Sequence, residues 1–539
     1  MTVFRNAVTV VAMVVFLSLL AQETIASSPN FLVIIVDDLG FSDVGSYGGE
    51  IATPNLDRLA ENGLRYSQFY NTARCWPSRA ALLTGYYAQQ VRRDGFPGIA
   101  GGGRGDRPNW ARLLPEVLAQ AGYRSYHSGK WHLDGMPIET GFHRSYLLKD
   151  QGRFFNPQVH WKDDERLPAV EKNSGYYGTI AIADHAIACL AEHNSEHADE
   201  PFFHYLAFTA PHFPLHALPE DIERYAGRYD QGWEQVRADR WNRMQQIGLL
   251  TGQLSPVESE IGPPYDFPEH FKILGPGEVN RPLEWDTMST LQQKFQAQKM
   301  EVHAAMVDRV DQEIGRVLNQ LEEMNQLDNT LIMFLSDNGA SAEIMVRADG
   351  HDPEASFGSA ESYLCLGPGW STCSNTPFRR HKTWTHEGGI STPLIVHWPN
   401  GISTPGAFRS TPAHVIDIAP TLIELAGTTR FTEWEGAPVP TPPGQSLVDS
   451  FASDDSESDR TLWWSHENNH AIRMGNWKAV VSGADEDWEL YNLEEDRTET
   501  QNLATEEPDR LESLRAKWTD LRNQFYQQAT GKTVPNDLN

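Results

Sequence analysis

The run FLVIIVDD, residues 31–38, decides how this chain folds. Phe31–Val36 is apolar throughout and passes without a break into Asp37 and Asp38. A strand with no polar face belongs inside a sheet that is covered on both sides. The pattern recurs. Thr330–Leu335 passes through Ser336 into Asp337 and Asn338, and Phe202–Phe208 leads to Pro211 and His212. Leu394–His397 is a fourth run that reads as a buried parallel strand. Helical patterns lie between these runs. Pro54–Glu61 is a short helix with Gly63 beyond it, and Trp110–Ala121 stops at Gly122. Val302–Met324 lines up Met306, Val310, Ile314, Val317, Leu321 and Met324 on one face. Buried strands alternating with helices predict an α/β domain: a large, mostly parallel or mixed central sheet flanked by helices.

In open α/β sheets, ligands bind outside the carboxyl ends of the strands. Asp37, Asp38, Asp337, Asn338 and His212 all fall there. Carboxylates with an amide oxygen form a hard donor set, which suits Ca²⁺, less well Mg²⁺, and not structural zinc. A single such pair is an ordinary turn after a strand. Two pairs, each after a near-pure apolar strand, weigh as much for a site as for a turn.

The chain of 539 residues has room for one large domain and a smaller one. Residues 1–26 read as a secretory signal peptide: Ala7–Ala21 is apolar, and Thr24-Ile25-Ala26 offers small cleavage residues. No second apolar stretch of spanning length follows, so no stable membrane insertion is expected and a periplasmic or secreted location is. Residues 28–440 read as the catalytic domain, with an insertion at about 228–300 that could rim the site. Pro438–Gly444 looks like a linker. Residues 455–539 form a small α+β unit: an antiparallel sheet from Leu462–Ser465, His470–Met474, Trp477–Val481 and Trp488–Asn492, then an amphipathic helix, Asp509–Gln528. Trp463, Trp464, His466 and Asn468 could reach the pocket, or serve as core of that sheet.

Four cysteines are too few for a disulfide scaffold. Cys365 and Cys373 could pair in an oxidising compartment, and Cys189 sits in a helical pattern. The formal net charge of −29 argues against nucleic acid as a partner. A sulfated or phosphorylated anion is not excluded, because charge beyond about 8 Å is screened at physiological salt.

The segment CWPSRAALLTG, residues 75–85, carries the chemistry. Pro77 suits a first helical turn and Gly85 an exit, so Cys75 stands at a helix N-terminus. That end attracts anions and predicts a lowered thiol pKa. Arg79, one turn on, is placed to reach back toward it. C-x-P-S-R-x-x-x-L-T-G resembles the signature of the type I sulfatases, a family of the alkaline-phosphatase-like superfamily, and the chain most resembles their arylsulfatase-like branch. Seven specified residues at about 5% each match by chance at on the order of 10⁻⁹ per start site. Further segments follow the family: Gly129-Lys130-Trp131-His132, Ala210-Pro211-His212-Phe213-Pro214, Thr376–Lys382 with His386-Glu387-Gly388-Gly389, and Glu489-Leu490-Tyr491-Asn492-Leu493 with Asp496.

The resemblance implies a fold, a reaction and a site. Cys75 is oxidised to formylglycine by a maturation enzyme, and its hydrate is the nucleophile. Asp37, Asp38, Asp337, Asn338 and the modified Cys75 hold Ca²⁺. Arg79, Lys130, His132, His212 and Lys382 bind the anion and move protons, with Lys130, His212 and Lys382 on the sulfate. His212 is the candidate acid for the leaving oxygen, and His132 the candidate base that frees the enzyme. The substrate is a small-molecule or glycan sulfate ester. Two other readings stand beside this one: a phosphoester or phosphonate hydrolase of the same superfamily, and an inactive protein that binds sulfated glycans.

Overall fold

The computed structural model describes residues 28–95, 105–347, 350–454, 459–483 and 486–534. The expected signal peptide lies outside the described residues. Ten strands form the main sheet: β1 Asn30–Val36, β2 Leu64–Tyr66, β3 Arg124–Gly129, β4 Arg144–Leu148, β5 His160–Lys162, β6 Glu165–Arg166, β7 Phe202–Ala207, β8 Thr330–Ser336, β9 Leu394–His397 and β10 Ala407–Arg409. Their order across the sheet is β10-β2-β9-β8-β1-β7-β3-β4-β5-β6. The middle of the sheet, from β8 to β4, is parallel, as the apolar runs require.

One strand departs from expectation. β9 runs antiparallel to both β8 and β2. A short apolar run tells that a strand is buried, but not which way it points. The sheet is therefore mixed.

Helices cover both faces. α1 is Pro54–Glu61, α2 Cys75–Thr84, α3 Leu114–Leu118, α4 Gly178–Glu196, α5 Trp233–Gln246 and α6 Thr290–Glu323. α3 is shorter than the sequence pattern predicts: Pro115 fixes its first turn, and a 3-10 turn carries the chain to Gly122. α6 is longer, because Ser289 and Gln292 close a capping box well ahead of the apolar stripe. α5 lies in the stretch read as an insertion. It is core at this point, not surface: Trp233 and Arg240 are fully buried, and Arg240 pairs with Asp43 and Glu50, each at 2.7 Å. The rest of that stretch carries Ile247, Phe267, Ile273, Leu283 and Leu291, which are exposed.

The C-terminal unit has the expected form. β11 Thr461–His466, β12 Asn469–Met474, β13 Trp477–Ser482 and β14 Glu489–Asn492 make an antiparallel meander, and α7 Pro508–Thr530 packs on it. Trp463 stacks on Trp518 and Trp464 donates to the Asn71 carbonyl, so both are core residues. Cys365 and Cys373 are buried free thiols rather than a disulfide. No helix among the described residues is long and apolar enough to cross a membrane.

Candidate active site

β1 and β8 are neighbours in register, Val36 opposite Ser336. Asp37-Asp38 and Asp337-Asn338 therefore leave the sheet side by side. Asp38 takes a left-handed backbone, φ 67°. Its N–H donates to Asp337 Oδ1 at 3.3 Å, and Asn338 Nδ2 donates to Asp38 Oδ1 at 2.7 Å. β3 ends next to β7, and Lys130 follows it directly, its N–H on the Ala207 carbonyl. Lys130 Nζ pairs with Asp37 Oδ2. Arg79, from α2, donates through Nε to Asp337 Oδ2 at 2.9 Å and through Nη1 to the Lys130 carbonyl at 3.3 Å. Lys382 Nζ lies 2.9 Å from Asp38 Oδ2 and 3.0 Å from Glu343. His212 places Nε2 3.7 Å from Asp38 Oδ2, while Nδ1 donates to the Phe213 carbonyl at 2.5 Å. Cys75 opens α2, a helix buried at every residue.

Residues from four strand ends and one helix start thus meet in one pocket. His132 stands at its edge. It has a left-handed backbone, φ 62°, and its ring lies 5.9 Å from Trp76, beside Cys75.

Two atoms test whether this pocket suits a metal ion. Asp37 Oδ1 and Asn338 Oδ1 are buried without a hydrogen-bond partner. A buried polar atom left unpaired costs about 1–3 kcal/mol. Asp37, Asp38 and His212 also offer ligand atoms within 4.8 Å of one another. Hard oxygens that lack protein partners are what a hard divalent cation satisfies, so Asp37 and Asn338 fit Ca²⁺, with the paired carboxylates of Asp38 and Asp337 beside them.

The electrostatics follow from burial. It pushes the Asp337 carboxyl up, and nearby Asp37 adds to that. Asp37 itself is held below the usual range, because Lys130, His212 and Arg79 outweigh burial. Burial works against the Lys382 charge, but Asp38 and Glu343 hold its pKa above the ordinary value. Burial brings His212 down to about 4, against the pull of Asp38 and Asp37. One expectation is corrected here. The helix start predicts a lowered thiol pKa for Cys75, whereas burial raises it, outweighing Lys130 and Lys382.

Sequence reasoning missed three site residues. Glu343 bridges Lys382 and Arg74, the latter at 3.2 Å. Arg74 also lies over the rings of Trp76, at 5.2 Å, and Tyr265, at 5.4 Å. Asp94 holds His466 Nδ1 at 2.9 Å, with the His466 ring 5.6 Å from Trp76. None of these stands beside a buried strand, so no pattern marks it.

The loop bearing Lys382 is tied to β14 by His386, whose Nε2 lies 3.1 Å from Glu489 Oε2. Burial alone would raise the Glu489 carboxyl, but His386, Tyr491 and Arg379 bring it from 4.5 to about 2. A depressed carboxylate adds stability above its ordinary pKa and loses it as pH falls through the folded value. Between pH 4.5 and 2 the wild type should lose up to about 3 kcal/mol that a Glu489→Gln variant does not lose. Thermal unfolding of both proteins across that range measures it. A constant gap between them would refute the pairing.

A family model described as Sulfatase matches residues 29–428. The chain belongs to the sulfatase family. A second model, N-sulphoglucosamine sulphohydrolase, C-terminal, matches residues 379–524. The sulfatase is 34% identical to an uncharacterised sulfatase of Schizosaccharomyces pombe, over 96% of this chain and 97% of the relative. It is 32% identical to an arylsulfatase of Klebsiella aerogenes, over 74% of this chain and 87% of the relative. Among solved structures, Ps i-CgsB superposes with a TM-score of 0.65 at 24% identity, covering 93% of this chain and 94% of that one. The sulfatase is thus a type I, arylsulfatase-like sulfuric ester hydrolase with an alkaline-phosphatase-like fold.

Proposed function

We propose that this sulfatase cleaves sulfate monoesters with formylglycine, made from Cys75, as nucleophile and with Ca²⁺ held by Asp37, Asp38, Asp337, Asn338 and residue 75. The observation that carries the reading is the pair of orphaned buried oxygens, Asp37 Oδ1 and Asn338 Oδ1, in the pocket where Cys75 opens its helix. When bound, Ca²⁺ supplies a positive centre for the sulfate oxygens and helps deprotonate the nucleophile. The hydrated aldehyde supplies two hydroxyls, one to attack sulfur and one to drive release, so a hard step becomes two easier ones.

The side chains do the rest. Lys130 and Lys382 pair with Asp37 and Asp38, carboxylates that a bound cation would share, which would leave both ammonium groups to take the charge of the ester. Arg79 is committed to Asp337 and the Lys130 carbonyl, and acts by holding both in place. His212 carries its proton on Nδ1, toward the Phe213 carbonyl, and is neutral at pH 7. An anionic ester in the pocket raises its pKa, so Nε2 takes up a proton from solvent as the substrate binds and passes it to the leaving oxygen. His132, at the edge, takes the proton that frees the enzyme.

The signal peptide expected at residues 1–26, with a maturation enzyme acting on Cys75, would make this a periplasmic or secreted protein. The substrate class includes sulfated sugars beside aryl sulfates. One relative is named N-acetylglucosamine-6-O-sulfatase (Bacteroides thetaiotaomicron), and one solved neighbour holds its substrate D-glucosamine-2-N,6-O-disulfate. The deciding test compares nitrophenyl sulfate with nitrophenyl phosphate on enzyme whose aldehyde is verified by mass spectrometry. Faster sulfate release is expected. Preference for phosphate would transfer the protein to the phosphoester hydrolases.

A further inference from the structure

Lys382 stands on a turn that is strained on both sides. Arg380 has φ 65° and Thr383 φ 88°. A β-branched residue with positive φ is an outlier that persists only where its surroundings enforce it. The turn is also packed tight. A Cβ on Gly388 would lie 2.3 Å from the carbonyl oxygens of both Arg379 and Arg380.

The catalytic domain holds this turn from the front. Lys382 N–H donates to the Ala340 carbonyl at 3.1 Å, Thr383 N–H to the Ala73 carbonyl at 2.8 Å, and Arg74 Nη1 to Thr383 Oγ1 at 2.8 Å. The C-terminal unit holds it from behind. Arg379 Nη1 donates to the Glu499 carbonyl at 2.7 Å and to Tyr491 Oη at 3.0 Å, and Glu387 N–H donates to Glu499 Oε2 at 2.8 Å. Behind these bonds lies an ion cluster shut off from water. Lys478 Nζ is 2.8 Å from Glu387 and 2.7 Å from Glu499, all three side chains at 0% exposure. Arg497 pairs with Glu387 Oε2 and donates to Ser391 Oγ at 3.2 Å.

Two acids and two bases balance in this cluster. Buried ion pairs are a poor source of stability, since apolar residues of like volume serve as well. Their use is to hold one geometry. We propose that Glu387, Lys478, Arg497 and Glu499 are positioning residues for Lys382. The C-terminal unit is then part of the sulfate-binding device, because it keeps the strained turn closed. This rests on the reading of Lys382 as a sulfate ligand.

The test uses the full chain with Lys478→Met and Glu499→Gln combined, which removes one base and one acid and keeps the balance. KM and kcat for nitrophenyl sulfate, and inhibition by inorganic sulfate, are measured with and without Lys382→Ala. KM and the sulfate inhibition constant should both rise about ten- to a hundredfold when Lys382 is present. Both effects should vanish in the Lys382→Ala background. Equal losses in both backgrounds would overturn the inference alone. A Lys382→Ala enzyme that binds sulfate like the wild type would overturn the reading of Lys382 and the inference together. Should the double variant not fold, Glu387→Asp shortens one arm at constant charge and is judged by the same two constants.

Discussion

Cys75→Ala should lower sulfate release by on the order of 10⁴-fold or more, the scale on which loss of a nucleophile acts. Its fold should survive. Cys75 is buried at the start of a ten-residue helix, and Ala suits that position. Cys75→Ser is the sharper variant. It keeps a hydroxyl beside Lys130, Lys382 and the acidic pocket, so attack on sulfur remains possible. It lacks the second hydroxyl, so the sulfated enzyme has no route of collapse. At most one sulfate per enzyme molecule should transfer, visible as a mass increase on the intact protein. Repeated turnover by Cys75→Ser would refute the mechanism.

The second large effect belongs to the acidic pocket. Asp337→Asn takes the negative charge from a candidate metal ligand and leaves the fully buried Arg79 without its charge partner. Breaking one side of a buried pair costs about 3–5 kcal/mol. Activity should fall at least about a hundredfold, as even the outer supports of metal sites reach that size. The decisive readout is thermal. Wild-type enzyme should melt higher with Ca²⁺ than with a chelator, because an ion that binds only the folded state stabilises it by mass action. The variant should lose that difference. A wild type that melts alike in both conditions, with full activity in chelator, would remove Ca²⁺ from the account.

Much of this architecture is legible in the chain for a physical reason. β1, β7 and β8 are covered on both faces, so their residues are mostly apolar without alternation, His204 in β7 apart, and the polar residue that ends each run marks the strand's carboxyl end. The site lies at those ends. Other features leave no such mark. The direction of β9 depends on its neighbours. α5 buries Trp233, Arg237 and Arg240 on its inner face, so charge replaces the apolar stripe that would reveal it. Glu343, Arg74 and Asp94 gain their places only through tertiary contacts. The thiol of Cys75 was misjudged because a helix start is visible in sequence, while the depth of its burial is not.

The position of β1 between β7 and β8 also orders events in time. Synthesis delivers Asp37, Asp38, Cys75, Arg79, Lys130 and His212 well before Asp337, Asn338 and Lys382. Until β8 slots in, one whole side of β1 stands open, and the pocket has neither its second pair of oxygens nor the Lys382 turn as a wall. Once the chain is complete, Cys75 retains only 3% of its surface. A maturation enzyme of the kind proposed for Cys75 would therefore have to meet the chain while it is unfinished or still unfolded.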